Sequence, residues 1–322
     1  MKLATVAIHG QAHAAVHCAG DGLLDLVRLR ERVPEAHLVP TSVKGILQAG
    51  EPGLALVRRL LDEVEAGRHG AIAQLTEQGL VLPQAAAQLL PPIPDPGLIL
   101  SCGAAYREHL REMKVERQQD DEPTAFIKAA SALTGSGSPI VLPRKAPAMV
   151  DWEGEFSCVI GRSCHGVTEA EALDFVAGYT LVNDVSARDW VPGFLQVQGN
   201  ALDMLRRTGL NILGKQFPSF CPMGPCIVTK DELPDPGNLQ LSTRVNGELM
   251  QHAHTSDLIF SVAQVIAYFS QWYRFSPGDV ITTGSPAGVG YGRNPKLFLK
   301  PGDVVEVSVP QLGTLRNPVV AS

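Results

Sequence analysis

Few side chains in this sequence have the type and spacing to do chemistry. Glu153 and Glu155 stand two apart in Val150-Asp151-Trp152-Glu153-Gly154-Glu155-Phe156-Ser157-Cys158-Val159-Ile160-Gly161. The run has the period of a strand, so both carboxylates leave one face. Two like charges in a mostly apolar segment repel each other and lose hydration. A divalent cation that prefers oxygen ligands would relieve both costs; a solvated edge-strand face, or one Glu paired with an arginine, fits the same pattern. His109 and Glu112 are three apart in a stretch of helical composition, residues 104–114, and share a face. A carboxylate beside an imidazole orients it and raises its basicity, as a general base requires. On a surface helix the same spacing is an ordinary ion pair.

Asp184, with Asn183, ends the strand-like run 178–182, and Ser186, Arg188 and Asp189 follow. Asp184 is either a third oxygen ligand or a turn residue. Arg188 either grips a substrate carboxylate with two N–H groups or pairs with Asp189 or Glu171. Lys215 stands alone among apolar, Pro and Gly residues. It either snorkels or is held in a site as a fixed positive charge.

These residues need strands and a short helix to position them. Residues 2–8 and 13–18 read as strands, and Leu54, Val57, Leu60, Leu61 and Val64 define a helix over 54–64. His9, His13 and His17 recur every four residues, but Gly10 and the alternation favour strands over a helical metal face. Four prolines within residues 91–96 forbid helix and mark a boundary, giving a small leading unit, 1–95, and a larger one, 96–322. Residues 98–102 form a buried strand. The polar stretch 115–124 is a plain connection or a lid. Thr168 and Glu171 make a capping box for a helix over 169–176. Residues 192–211 are loop with some helix. Asn246-Gly247 turns a hairpin between 239–245 and 248–251. Thr255 caps an amphipathic helix over 256–273. A strand over 280–283 runs into the Gly-rich loop 284–290, whose N–H groups could cradle an anion. The loop lacks Gly-x-Gly-x-x-Gly and no clear helix follows, which disfavours a dinucleotide fold. The strand 304–309 closes the chain.

A chain of 322 residues that is 45% hydrophobic can bury a full core and a second, smaller unit. The net charge of −6 and scattered Lys and Arg argue against a nucleic-acid partner. No apolar run reaches the ~20 residues of a membrane helix. The first ten residues lack a secretory pattern. The expectation is a cytoplasmic protein with no membrane partner. Cys18, Cys102, Cys158, Cys164, Cys221 and Cys226 include no Cys-x-x-Cys pair and read as small buried residues.

Taken in order, Asp151-Trp152-Glu153-Gly154-Glu155, residues 178–189, Gly214-Lys215, Pro222-Met223-Gly224-Pro225, Val245-Asn246-Gly247 and residues 277–290 resemble the fumarylacetoacetate hydrolase family over about 98–309. The leading unit also looks like the small first domain of bacterial two-domain members. The resemblance implies an α+β, β-rich fold, a mixed β-sandwich roll with a small N-terminal α+β domain, usually as a homodimer. It implies Mg²⁺, with Mn²⁺ or Ca²⁺ accepted, on Glu153, Glu155 and Asp184. It places the His–Glu dyad on His109 and Glu112 and the active-site lysine on Lys215. Tyr106, Arg188, Thr283 and Ser285 would hold substrate oxygens. The implied reaction is hydrolytic C–C cleavage of a 2,4-dioxo acid of the acylpyruvate or fumarylpyruvate type, as in aromatic-compound catabolism. A metal-dependent decarboxylase, isomerase or hydratase of 2-oxo acids is the alternative, and an inactive metal-stabilised binding protein the second. Three positions depart from the family pattern. Ala105 replaces a usual Asn, Val191 and Pro192 stand where a Gln is common, and Ser285 replaces a usual Thr. The first two changes imply a larger or less polar substrate than fumarylpyruvate.

Overall fold

Two long, fully buried strands lie at the centre of the computed structural model, which describes residues 1–116, 121–189 and 201–322. In chain order the strands are β1 Lys2–Ile8, β2 Gln11–Cys18, β3 Gly22–Asp25, β4 Val81–Pro83, β5 Leu89–Leu90, β6 Ile99–Gly103, β7 Thr124–Ile127, β8 Leu133–Gly135, β9 Ile140–Leu142 and β10 Val150–Asp151. They continue as β11 Gly154–Ile160, β12 Val176–Asn183, β13 Ser186–Ala187, β14 Cys221–Thr229, β15 Gln240–Val245, β16 Glu248–His254, β17 Val280–Thr282, β18 Val304–Val309 and β19 Gly313–Ala321. β11 and β12 are buried along their whole length. Both are mostly apolar, interrupted by a few polar residues, because both faces of their sheet are covered.

The large sheet runs β4-β3-β2-β1-β14-β12-β11-β17-β6-β7, with β5 beside β1 and β8 beside β14. β1 pairs with β14 through Lys2↔Val228 and Leu3↔Ile227, so the N-terminal strands extend the sheet that carries β11 and β12. A second sheet, β16-β15-β18-β19-β9, packs on it. Phe156, Leu181, Leu241, Val307, Val309 and Leu315 fill the space between them. The sheets approach closely at Gly154, where a Cβ would lie 2.1 Å from Thr243 Oγ1. On the other face, the helices Val43–Gln48 and Gly50–Glu65 cover a core that includes Leu3, Val16, Val57, Leu60 and Val182. The result is the expected β-rich α+β sandwich, and among the described residues no helix is long and apolar enough to cross a membrane.

Several elements differ from their sequence pattern. The helix expected over 256–273 is Val262–Phe269, capped by Ser261 and Gln264 in a reciprocal box. Thr255 caps no helix; its hydroxyl accepts from Leu239 N at 2.9 Å. Leu258 leaves the helical stripe to bridge Tyr106, and Ile259 N donates to Ala105 O at 2.8 Å. Tertiary pairing has overridden local periodicity there. The helix after Thr168 stops at Ala172 and tightens into a 3₁₀ turn, Leu173–Phe175, before β12 begins. β19 follows β18 and pairs with it and with β9, so the strand 304–309 does not close the chain. Asn246 and Gly247 both take positive φ, 54° and 81°, as a type I′ hairpin turn requires. All six cysteines are buried free thiols.

Candidate active site

β11 and β12 are antiparallel neighbours, with Gly154 opposite Asn183 and Glu155 opposite Val182. The start of one strand therefore lies beside the end of the other. Glu153 precedes β11, Asp184 follows β12, and Asp184 N donates to Glu153 O at 2.8 Å. Asn183 Oδ1 accepts from Glu153 N at 2.9 Å and locks the junction. Ligand oxygens of Glu153, Glu155 and Asp184 all lie within 4.8 Å of one another, and all three residues are buried.

Three cations meet these acids. Lys215 Nζ donates to Glu153 Oε2 and Asp184 Oδ2, both at 2.6 Å, and to Ser186 Oγ at 2.7 Å. Lys128, wholly buried, pairs with Asp184 Oδ1. Arg188 pairs with Glu153 Oε1 and, at 3.3 Å, with Asp151 Oδ2, so neither Asp189 nor Glu171 is its partner. Burial opposes ionisation of Glu153, but Arg188 and Lys215 outweigh it and hold that carboxyl well below its usual range. Burial likewise opposes the charge on Lys215, and Asp184 and Glu153 outweigh it. Glu155 is pushed the other way, first by burial and then by its neighbours Asp184 and Glu153. Its Oε2 is buried and has no hydrogen-bond partner among the described residues. Here, among the described residues, the acids Asp151, Glu153, Glu155 and Asp184 face the cations Lys128, Lys215 and Arg188. With all four acids ionised they would outnumber the cations by one, yet burial and the neighbouring acids resist the charge on Glu155, whose Oε2 is left without a partner. An all-carboxylate donor set in this state fits a hard divalent cation.

The helix Arg107–Met113 carries the imidazole and its partner. His109 Nδ1 meets Glu112 Oε2 at 3.0 Å, and His109 is buried. Glu112 Oε1 accepts from Gly288 N at 3.0 Å, which ties the helix to the loop after β17. Asp151 holds the far end of that loop, accepting from Gly290 N at 2.7 Å and Tyr291 N at 3.0 Å. Since Asp151 also pairs with Arg188, one loop is bound directly to the dyad's carboxylate and, through Asp151, to the arginine that holds Glu153. β17 itself pairs with β11, Ser157 opposite Thr282, and so brings the loop beside the acids.

Tyr106, Thr283 and Ser285 lie along this loop. The Tyr106 hydroxyl is buried close to Thr283 but makes no hydrogen bond of normal geometry among the described residues. Burial pushes its ionisation far above the usual phenol range. Thr283 Oγ1 donates to Phe156 O at 2.8 Å. Ser285 Oγ accepts from Gln251 Nε2 at 2.8 Å, and Gln251 Oε1 accepts from Gly154 N at 3.0 Å. Both hydroxyls thus keep lone pairs free to accept.

Sequence reading missed three residues of this network. Lys128 carries the same signal as Lys215, a lone ammonium between apolar neighbours. Asp151 stood in view without a role. Gln251 had no local signal, since its partners lie on two other segments. Of the stretch 115–124, read as a plain connection or a lid, residues 117–120 lie outside the described residues, as do Val191 and Pro192; Glu122 accepts from the Tyr268 hydroxyl at 2.6 Å.

Residues 99–320 match the model of the fumarylacetoacetate hydrolase C-terminal domain. The mitochondrial oxaloacetate tautomerase fahd2 of Xenopus laevis is 40% identical over 275 residues, 85% of this chain and 82% of that one. The oxaloacetate tautomerase YisK of Bacillus subtilis is 31% identical over 320 residues, 99% of this chain and all of that one. Among solved structures, the fumarylacetoacetate hydrolase of Exiguobacterium antarcticum superposes with a TM-score of 0.74 at 29% identity, and the maleylpyruvate hydrolase of Sphingobium sp. SYK-6 with 0.73 at 26%, each over the full length of both chains.

Proposed function

Because this chain belongs to the fumarylacetoacetate hydrolase family, we propose that it is a Mg²⁺-dependent tautomerase that interconverts the enol and keto forms of a 2-oxo dicarboxylate of the oxaloacetate class. The observation that carries this reading is the likeness to an oxaloacetate tautomerase along 99% of the chain. The family model begins at residue 99, which supports dividing the chain into a leading unit, 1–95, and a catalytic unit, 96–322. A homodimer is the assembly we expect.

Glu153, Glu155 and Asp184 would hold the metal, with Mn²⁺ or Ca²⁺ as substitutes. When bound, a divalent cation supplies Lewis-acid charge that lowers the cost of an enolate oxygen. The rest falls to the chain's own groups. Glu112 fixes His109 through Nδ1, so proton exchange falls to Nε2. Tautomerisation moves one proton between the enol oxygen and the neighbouring carbon, and His109 Nε2 would carry it. Lys215, held by Glu153, Asp184 and Ser186, would supply a fixed positive charge to the oxygen as it becomes anionic. Arg188 would attract the substrate's carboxylates, while Tyr106, Thr283, Ser285 and the loop amides would line the space around its oxygens.

The test follows the ultraviolet absorbance of enol-oxaloacetate as it relaxes to the keto form. Purified protein with Mg²⁺ should accelerate the relaxation, and no pyruvate should form from acylpyruvates. The second reading, C–C hydrolysis of a 2,4-dioxo acid, is favoured by the fold shared with the maleylpyruvate hydrolase, and a dyad of this kind also suits water activation. Cleavage of an acylpyruvate to two acids, with no effect on the enol, would replace the first reading with the second.

A further inference from the structure

We propose that Lys128 is a positioning residue that confines Asp184 to a single metal-facing oxygen and so sets the site's preference for Mg²⁺ over Ca²⁺. The inference rests on the metal site proposed above. Lys128 follows β7, and its backbone N donates to Ile99 O at 2.9 Å, which anchors its Cα to β6. Its side chain has no exposure to solvent. Among the described residues, Nζ donates to Asp184 Oδ1 and to the backbone carbonyl of Lys215 at 2.7 Å.

The two oxygens of Asp184 therefore face different ways. Oδ2 meets Lys215 Nζ, which also meets Glu153 Oε2, so Oδ2 is turned toward the other acids. Oδ1 is engaged by Lys128. A buried ammonium without its carboxylate costs several kcal/mol, so Oδ1 is not readily released to another cation. The second contact holds the backbone of the segment that presents Lys215. One side chain thus fixes the orientation of an acid and the placement of a lysine, both within the proposed metal site.

The chemical consequence concerns how a carboxylate can bind. Mg²⁺ demands a near-ideal octahedron of short bonds and takes carboxylates through one oxygen; Ca²⁺ accepts more ligands at longer distance, often both oxygens of one carboxylate. With Oδ1 committed to Lys128, Asp184 offers the arrangement that suits Mg²⁺ and withholds the one that Ca²⁺ would gain from. Removing the ammonium has a second effect, since the site becomes more negative and every divalent cation is attracted more strongly. That Coulomb effect moves the affinities for both ions together. The ratio of the two affinities isolates positioning from charge.

The experiment is calorimetric titration of the chelator-stripped full chain with MgCl₂ and with CaCl₂, for the wild type and Lys128→Met. The expected result is a ratio Kd(Mg)/Kd(Ca) that rises about tenfold in the variant, mainly through tighter Ca²⁺ binding. Metal binding with both constants moved by one factor, or unmoved, overturns the inference and leaves the metal site standing. A wild type that binds neither ion overturns the site itself. Should Lys128→Met fail to fold, wild-type crystals soaked in each ion give the answer. Asp184 bound through Oδ2 alone in both, with Oδ1 on Lys128, supports the proposal; bidentate Asp184 with Ca²⁺ overturns it.

Discussion

One nitrogen of His109 is tied to Glu112, which leaves the other to exchange protons with a bound molecule. In the proposed reaction, His109→Ala should lower kcat by about 10²–10⁴, the span of general acid–base contributions. Mg²⁺ affinity measured by titration should stay near the wild-type value, because the imidazole is no metal ligand in this account. Loss of metal binding together with activity would move His109 into the ligand set. A second residue-scale prediction concerns stability. Burial lowers the pKa of His17 from 6.5 to about 4, helped by Lys2, and its Nε2 has no partner among the described residues. The folded state therefore resists the proton that the unfolded chain accepts. Above pH 6.5 His17 is neutral in both states and costs nothing; as pH falls from 6.5 toward 4 the unfolded state gains protons first and stability is lost. His17→Gln should remove up to about 3 kcal/mol of that acid-side loss, seen as a flatter plot of unfolding free energy against pH. An unchanged slope would mean that the ring is solvated in the folded protein.

At the scale of elements, the loop after β17 couples the dyad to the acids. Gly288 has φ +100°, and a Cβ there would sit 2.1 Å from Met250 O. Gly288→Ala must move the backbone, and with it the N–H that holds Glu112. The expected outcome is a fall in kcat of at least about tenfold, following the misdirected imidazole, with Mg²⁺ affinity little changed. If kcat is retained, Glu112 does not depend on this loop for its orientation. The loop also shows what local sequence could and could not reveal. The Gly-rich run and the strand before it were legible from composition and period. The bonds from Gly288 to Glu112 and from Gly290 to Asp151 join segments more than a hundred residues apart, and no local pattern encodes them. The helix Val262–Phe269 makes the same point from the other side. Its apolar stripe continues through Leu258 and Ile259 in sequence, yet the backbone of those residues is spent on Ala105 and Tyr106.

Across the whole molecule, the antiparallel pairing of β11 with β12 turns two sequence motifs into one cluster of acids. Those motifs were readable because each has side chains of unusual chemistry in an apolar strand context. The cations were read less well. Lys215 stands out by its isolation, the acids that Arg188 meets are Glu153 and Asp151 rather than its chain neighbours, and Lys128 has no distinguishing mark because a buried ammonium looks like any lysine until its carboxylate is known. The sheet's extension through β1 into β14 was likewise invisible in the proline-rich stretch before β6. Removal of metal by EDTA should abolish turnover of enol-oxaloacetate, and Mg²⁺ should restore it; activity that survives chelation would dissociate the acids from the chemistry.

The most direct test of the acids as a cation site is anomalous diffraction from crystals soaked in Mn²⁺. One strong peak per chain is expected, within bonding distance of Glu153, Glu155 and Asp184. A peak elsewhere, or none while Lys215 and Arg188 keep their places on Glu153, would contradict it.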